Sequence, residues 1–211
     1  MSKTLIDMQS YPRRSHYEFF RYMAYPYVGL TANVDVTRLL RAARERSGST
    51  FLACLYVLSH AANGVPELRQ RIVGEDIVEF DHCCTAHTVA LPDHTFCNCK
   101  TDDRMSFERF LAEGKRLQEQ AKQHHGFVGT QEDETDLIFV SCVPWVSFTQ
   151  VIQPAPIPAD CNPRIVLGKY IQEGERTLMP LSIQANHALV DGWHLSEFYR
   201  LFDQLQNEVC G

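Results

Sequence analysis

The chain has 211 residues, 45% hydrophobic and 22% charged, with a formal net charge of −6. That is the composition of a globular protein, long enough for one domain over residues 1–211. The acidic balance argues against a nucleic-acid partner, which asks for clustered Lys and Arg, and no apolar run approaches the roughly 20 residues that span a bilayer. Residues 1–7 lack the apolar stretch of a signal peptide, so a cytoplasmic protein is the expectation.

In chain order, residues 1–10 read as an exposed arm and residues 13–24 as a helix rich in aromatics, ended by Tyr25-Pro26-Tyr27. Residues 28–34 follow as a strand. Asp35 is placed to cap a helix over 36–46, and Ser49 or Thr50 starts a second over 51–63 that is apolar on nearly every side and therefore buried. Short extended runs follow at 71–73, 77–80, 84–91 and 95–99, punctuated by Gly, Pro and Asp as hairpins require. Residues 102–122 show the spacing of a long amphipathic helix, with Phe107, Phe110, Leu111 and Leu117 on one side. A polar loop over 123–136 leads to a strand at 137–142, continued by 147–151 beyond Pro144-Trp145. Residues 154–163 hold four prolines and are excluded from a central strand. Strands over 164–171 and 177–183 are joined by a turn at 172–175, and a helix covers 195–205. Strands and helices out of regular alternation predict an α/β (α+β) fold, a two-layer sandwich with a mixed sheet.

The junction between the last strand and the last helix is the most informative stretch. It reads Gln184-Ala-Asn-His187-Ala-Leu-Val-Asp191-Gly-Trp-His194. A histidine at a strand end can take and return a proton near neutrality while a rigid element holds it still. Asp191-Gly192 is suited to turning the chain and capping the helix. For an isolated histidine, a satisfied core residue would be the plainer reading.

The form H-x-x-x-D-G-x-H resembles the signature of the chloramphenicol acetyltransferase family, and more loosely that of the catalytic domain of dihydrolipoamide acyltransferases. The likeness runs on in order. Tyr11-Pro-Arg13-Arg14-Ser-His16-Tyr17-Glu-Phe19-Phe20 is similar to the family's opening W-x-R-x-x-H-F segment. Ser141-Cys-Val-Pro144-Trp145-Val-Ser147-Phe148 is similar to its S-A-x-P-W-V-x-F segment. Gly168-Lys169-Tyr170 and Met179-Pro180-Leu181-Ser182-Ile183-Gln184 fit the blocks before the histidine.

The resemblance implies an acetyl-CoA-dependent O-acetyltransferase acting on a hydroxyl of chloramphenicol, and hence a role in antibiotic resistance. His187 would be general base in a direct ternary-complex transfer, and Ser141 the donor to the oxyanion. Asp191 would brace the loop through Arg13, with Arg14 the neighbouring alternative. Phe19, Phe20, Ala24, Val28 and Phe96 would line the acceptor pocket, and Trp145, Lys169 and Tyr170 the coenzyme A channel. Acetyl-CoA is then a co-substrate, with no bound cofactor and no metal. The resemblance further implies a homotrimer with each active site between subunits. Departures bear on the acceptor. Ala24 and Val28 are smaller than the usual Leu and Phe, and Val166 stands where a Thr is common. Asn186 replaces a His, and residues 154–163 are proline-rich in place of an Asn-rich segment. A related enzyme for a different apolar alcohol is the second reading, and a non-catalytic assembly protein of the same fold the third.

Eight cysteines call for a check. None has C-x-x-C spacing. A zinc site from His82-Cys83-Cys84, Cys97 and Cys99, with His87 and His94 between, is disfavoured because strand alternation sends these residues to different faces. Cys142, beside Ser141, is the rival nucleophile; the plainer reading is a small buried strand residue.

Overall fold

The computed structural model describes residues 1–46, 48–123 and 135–210. Its core element is β10 (Arg176–Asn186), which pairs antiparallel with β2 (Tyr27–Asp35) on one side and with β8 (Arg164–Gly168) and β9 (Ile171–Glu173) on the other. Alternation along β10 sends Met179, Leu181, Ile183 and Ala185 into the core at 0–1% exposure. It turns Ser182 to the opposite face, where its hydroxyl accepts a hydrogen bond from Thr31 at 3.0 Å. Beyond β8 come β7 (Leu137–Val143), β5 (Cys84–Ala90) and β6 (Phe96–Thr101). The β5–β7 and β7–β8 pairs are parallel and the others antiparallel, so the sheet is mixed.

Helices form the second layer: α2 (Thr37–Glu45), α3 (Thr50–Asn63), α4 (Phe107–Gln123) and α5 (Gly192–Cys210). They pack on one another and on β2, β5, β6 and β10. The helix α3 is buried along most of its length, as its apolar sequence requires, and the Ser49 hydroxyl caps it by accepting from the Leu52 amide. Asp35 accepts from the amide and hydroxyl of Thr37, holding the start of α2. The mixed two-layer architecture agrees with the sequence reading.

Several boundaries differ, each for a physical reason. The N-terminal arm contains a strand, β1 (Lys3–Leu5), paired with β4 (Asp76–Phe80), which also pairs with β3 (Gln70–Val73) in a separate three-stranded sheet. The first helix, α1, spans only Arg14–Phe20. Residues 147–151 are not a strand, because the β7–β8 ladder ends at Val143 and Gly168 and leaves them no partner. Residues 164–171 are split at Lys169, whose amide turns to the Val146 carbonyl. The helix predicted from 102 starts at Phe107, since Asp102 and Asp103 are engaged by other side chains before it. The last helix runs longer than expected at both ends. Pro180 is accommodated within β10 because the β9 ladder ends at Leu178 and the β8 ladder begins at Leu181. Of the predicted loop 123–136, residues 124–134 lie outside the described residues.

Candidate active site

His187 stands where β10 leaves the sheet. Its amide donates to the Pro26 carbonyl at 2.7 Å, tying the His187 loop to the segment between α1 and β2. The ring packs on Phe20, with centroids 3.9 Å apart and planes 21° from parallel. Nδ1 lies 2.8 Å from the Val190 carbonyl. A carbonyl can only accept, so Nδ1 carries the proton and Nε2 the basic lone pair. Among the described residues Nε2 has no hydrogen-bond partner. The loop thus fixes both the tautomer and the plane of the ring.

The loop is itself clasped. Arg13 donates to Asp191 through Nη1 and to the His187 carbonyl through Nη2 at 3.3 Å. Asp191 also accepts from the Trp193 amide, and its Oδ1 lies 2.9 Å from Nδ1 of His194. Burial alone would raise the Asp191 pKa, but these hydrogen bonds and the charges of Arg13 and His194 override it and bring it down to about 2. His194 is buried between two carboxylates, with Nε2 3.6 Å from Glu67. Burial opposes its charge, yet the hydrogen bond and charge of Glu67 and the charge of Asp191 raise its pKa. Asp191 therefore contacts Arg13 and His194, not the His187 ring. Arg14 pairs with Glu18 on the surface instead. Asn186 locks the approach, donating to the Asp160 carbonyl and accepting from the Ala188 amide, each at 3.0 Å. The sequence reading gave no role to His194, Glu67 or the Val190 carbonyl. Only His194 carried a signal, as the last letter of the motif.

The remaining residues of interest fall into two groups. Phe20 lies at the His187 end of the sheet, with exposed Phe19 edge-on to it. Val28 is in register with Ala185 there, and Ala24 is exposed on the segment leading to Pro26. Ser141 lies elsewhere. It sits opposite Val166, which sits opposite Ser182. That row is five residues back along β10 and two strands across, on the order of 15–20 Å from His187 at ordinary sheet spacings. Trp145, Lys169 and Tyr170 follow the same end of the sheet, and Phe96 pairs with Ala90 at that end of β5. One copy of the chain does not bring Ser141 to His187.

Ser141 and Val166 face each other in register, so their side chains share a face, with methyl groups beside the hydroxyl. Burial lifts the neighbouring Cys142 thiol to about 11 and keeps it protonated, a poor nucleophile. Among the described residues no cysteine falls in a group close enough to hold a metal ion; His82, Asp102 and Asp103 do stand that close together. No described helix is long and apolar enough to cross a membrane.

A mixed sheet backed by helices, with a histidine at the end of the strand next to its edge, is a fold this chain shares with solved acyltransferases. A solved dihydrolipoamide acetyltransferase from Listeria monocytogenes, 16% identical, shares the fold at a TM-score of 0.69 over 92% of this chain and 89% of its own. Within that class the chain belongs to the chloramphenicol acetyltransferase family, whose model matches residues 1–206, and is an acyltransferase. Chloramphenicol acetyltransferase 3 of Escherichia coli is 27% identical over 209 residues, covering 98% of both chains. A Klebsiella chloramphenicol acetyltransferase is 28% identical over 213 residues, 96% of this chain and 92% of its own. A solved chloramphenicol acetyltransferase superposes with a TM-score of 0.84 at 25% identity, over 96% of this chain and 99% of its own.

Proposed function

We propose that the protein transfers the acetyl group of acetyl-CoA to a hydroxyl of chloramphenicol, and that it works as a homotrimer in the cytoplasm, conferring resistance to the antibiotic. The carrying observation is the His187 geometry: Nδ1 engaged by the Val190 carbonyl, the ring plane set by Phe20, and Nε2 left as the base. In the transfer, Nε2 takes the acceptor's hydroxyl proton as the oxygen attacks the thioester carbonyl. The tetrahedral oxyanion accepts a hydrogen bond from Ser141 of a neighbouring copy. Collapse breaks the carbon–sulfur bond, and the leaving thiolate takes the proton back from Nε2. No acyl-enzyme is formed.

The separation of Ser141 from His187 supports the trimer, since two copies are needed to complete one site. Phe19, Phe20, Ala24, Val28 and Phe96 wall the acceptor in this reading, and Trp145, Lys169 and Tyr170 flank the coenzyme A channel. Arg13 and Asp191 hold the base loop. Relatives named chloramphenicol acetyltransferases over nearly the whole chain support the acceptor. A different apolar alcohol is the second reading, favoured by the small Ala24 and Val28 and by Val166 beside Ser141.

The test is release of free coenzyme A thiol from acetyl-CoA with and without chloramphenicol. Chloramphenicol-dependent release that falls about 10²–10⁴-fold in His187→Ala supports the reading. Release with another alcohol alone moves it to the second reading, and activity within tenfold of wild type in His187→Ala removes the base.

A further inference from the structure

We propose that His82, Asp102 and Asp103 form a binding site for one divalent transition-metal ion of zinc's class, outside the reaction centre. The fold assembles the site from separate stretches. His82 lies in the link between β4 and β5, and the two aspartates follow Thr101, the last residue of β6. Thr101 is in register with Thr85, their hydroxyls 2.7 Å apart, so the open end of this hairpin places the link beside the aspartates.

His82 Nε2 stands 2.7 Å from Asp103 Oδ1 and 3.7 Å from Asp102 Oδ1, and the three donor atoms all lie within 4.8 Å of one another. Asp103 is 1% exposed; His82 and His60 stand at ion-pair distance from its two oxygens, but neither contact has the angles of a full hydrogen bond. A buried carboxylate in that condition needs an explanation. The nitrogen and oxygen are close enough to pair, but no N–H points along the line between them. Three donor atoms this close together are an arrangement an ion can use.

His60 occupies the position of an outer partner. Its Nδ1 is 2.9 Å from Asp103 Oδ2 and 3.0 Å from the Tyr56 carbonyl, so it steadies the carboxylate from the side away from His82. Imidazole nitrogen with carboxylate oxygen suits zinc, cobalt or nickel, whereas calcium and magnesium prefer oxygen alone. Asp102 is partly exposed and gives the ion a way in. It is also held by Arg104, with Nε 3.0 Å from Oδ1 and Nη2 2.7 Å from Oδ2. Arg104 therefore competes with the ion for this ligand. The site lies at the His187 end of the sheet but three strands along from β10.

The experiment is a cobalt titration of the full chain after chelator dialysis, followed by visible absorption and thermal unfolding. The expected result is one equivalent bound, with the ligand-field bands of a nitrogen–oxygen site. The unfolding midpoint should rise with free cobalt. His82→Gln and Asp102→Asn each weaken binding at least roughly tenfold, and Arg104→Gln tightens it. Asp102→Asn alters a partly exposed side chain, so it carries the test if His82→Gln does not fold. Three results would overturn the proposal: no binding, unchanged affinity in the folded ligand variants, or a sulfur-to-metal charge-transfer band placing the ion on cysteine.

Discussion

The two ends of the large sheet are built differently. At the His187 end, the histidine hangs from a strand held by ladders on both sides, and its loop is closed by Arg13, Asp191 and His194. At the Ser141 end, the chain leaves the sheet through Pro144 into a segment with no ladder, where Trp145 is 75% exposed. One end is closed by its own side chains; the other presents a hydroxyl on the sheet and an exposed aromatic beyond it. Proton transfer tolerates little error in position, whereas a pocket can be closed by a second surface.

The largest effects break the comparison outright. His187→Ala and Ser141→Ala, purified separately, each lose about 10²–10⁴-fold in kcat/KM while their unfolding midpoints stay within a few degrees of wild type. Dissociated and reassembled together, they regain activity if the proposed trimer holds, because a mixed trimer would place an intact His187 against an intact Ser141. No recovery, with mixed trimers verified by mass, would mean that both residues serve from the same copy.

Acid separates the two ends next. His87 is buried beside Val140, on the strand paired with β7, and burial pushes its pKa down to about 4. Its neutral form is favoured in the folded state, so the stability it confers is full above pH 6.5 and falls as pH drops toward 4, by about 3 kcal/mol in all. Asp191 is also depressed, so its contribution is present above about pH 4 and fades only as pH falls toward 2. Chemical denaturation across pH should show the loss between 6.5 and 4 in wild type and not in His87→Leu. A slope retained in His87→Leu would assign it to another group.

The clasp comes third. Arg13→Ala and Asp191→Asn each should lower activity roughly 10–100-fold and cost up to about 3 kcal/mol of stability, and the double variant should be no worse than the poorer single one. Strictly additive losses would show that the pair does not act as a unit. The smallest effect is at Val166. In Val166→Thr a hydroxyl joins Ser141 on the same face; turnover should change less than tenfold, with a stability loss of about 1–2 kcal/mol for burying the hydroxyl. A change of a hundredfold would make this position a determinant of the acceptor.

Much of this was legible in the sequence. The 2-residue alternation of β10, the all-round apolar α3 and the motif at 187–194 marked the sheet, the helix layer and the strand end that carries His187. Other features depend on register or on distant partners. Nothing local shows that residues 147–151 lack a neighbouring strand, or that Lys3 to Leu5 find β4. Asp102 and Asp103 look like the first turn of a helix until His60 and His82 arrive from elsewhere in the chain. The resemblance assigned the site residues to an acceptor pocket and a coenzyme A channel, and only the strand order shows which of them lie at each end of the sheet. Val166 beside Ser141 is a pairing in space that no spacing in sequence reveals.

Because Phe19 and Ala24 are exposed while His187 is carried by a strand bonded on both edges, selection acts on them unequally. Surface substitutions usually fall within about 0.5 kcal/mol of neutral, so a lineage can pass through many variants at these two positions without losing the fold of a single copy. The strand and clasp allow no such wandering. Descendants of this chain would diverge at Phe19 and Ala24 long before they diverge at His187.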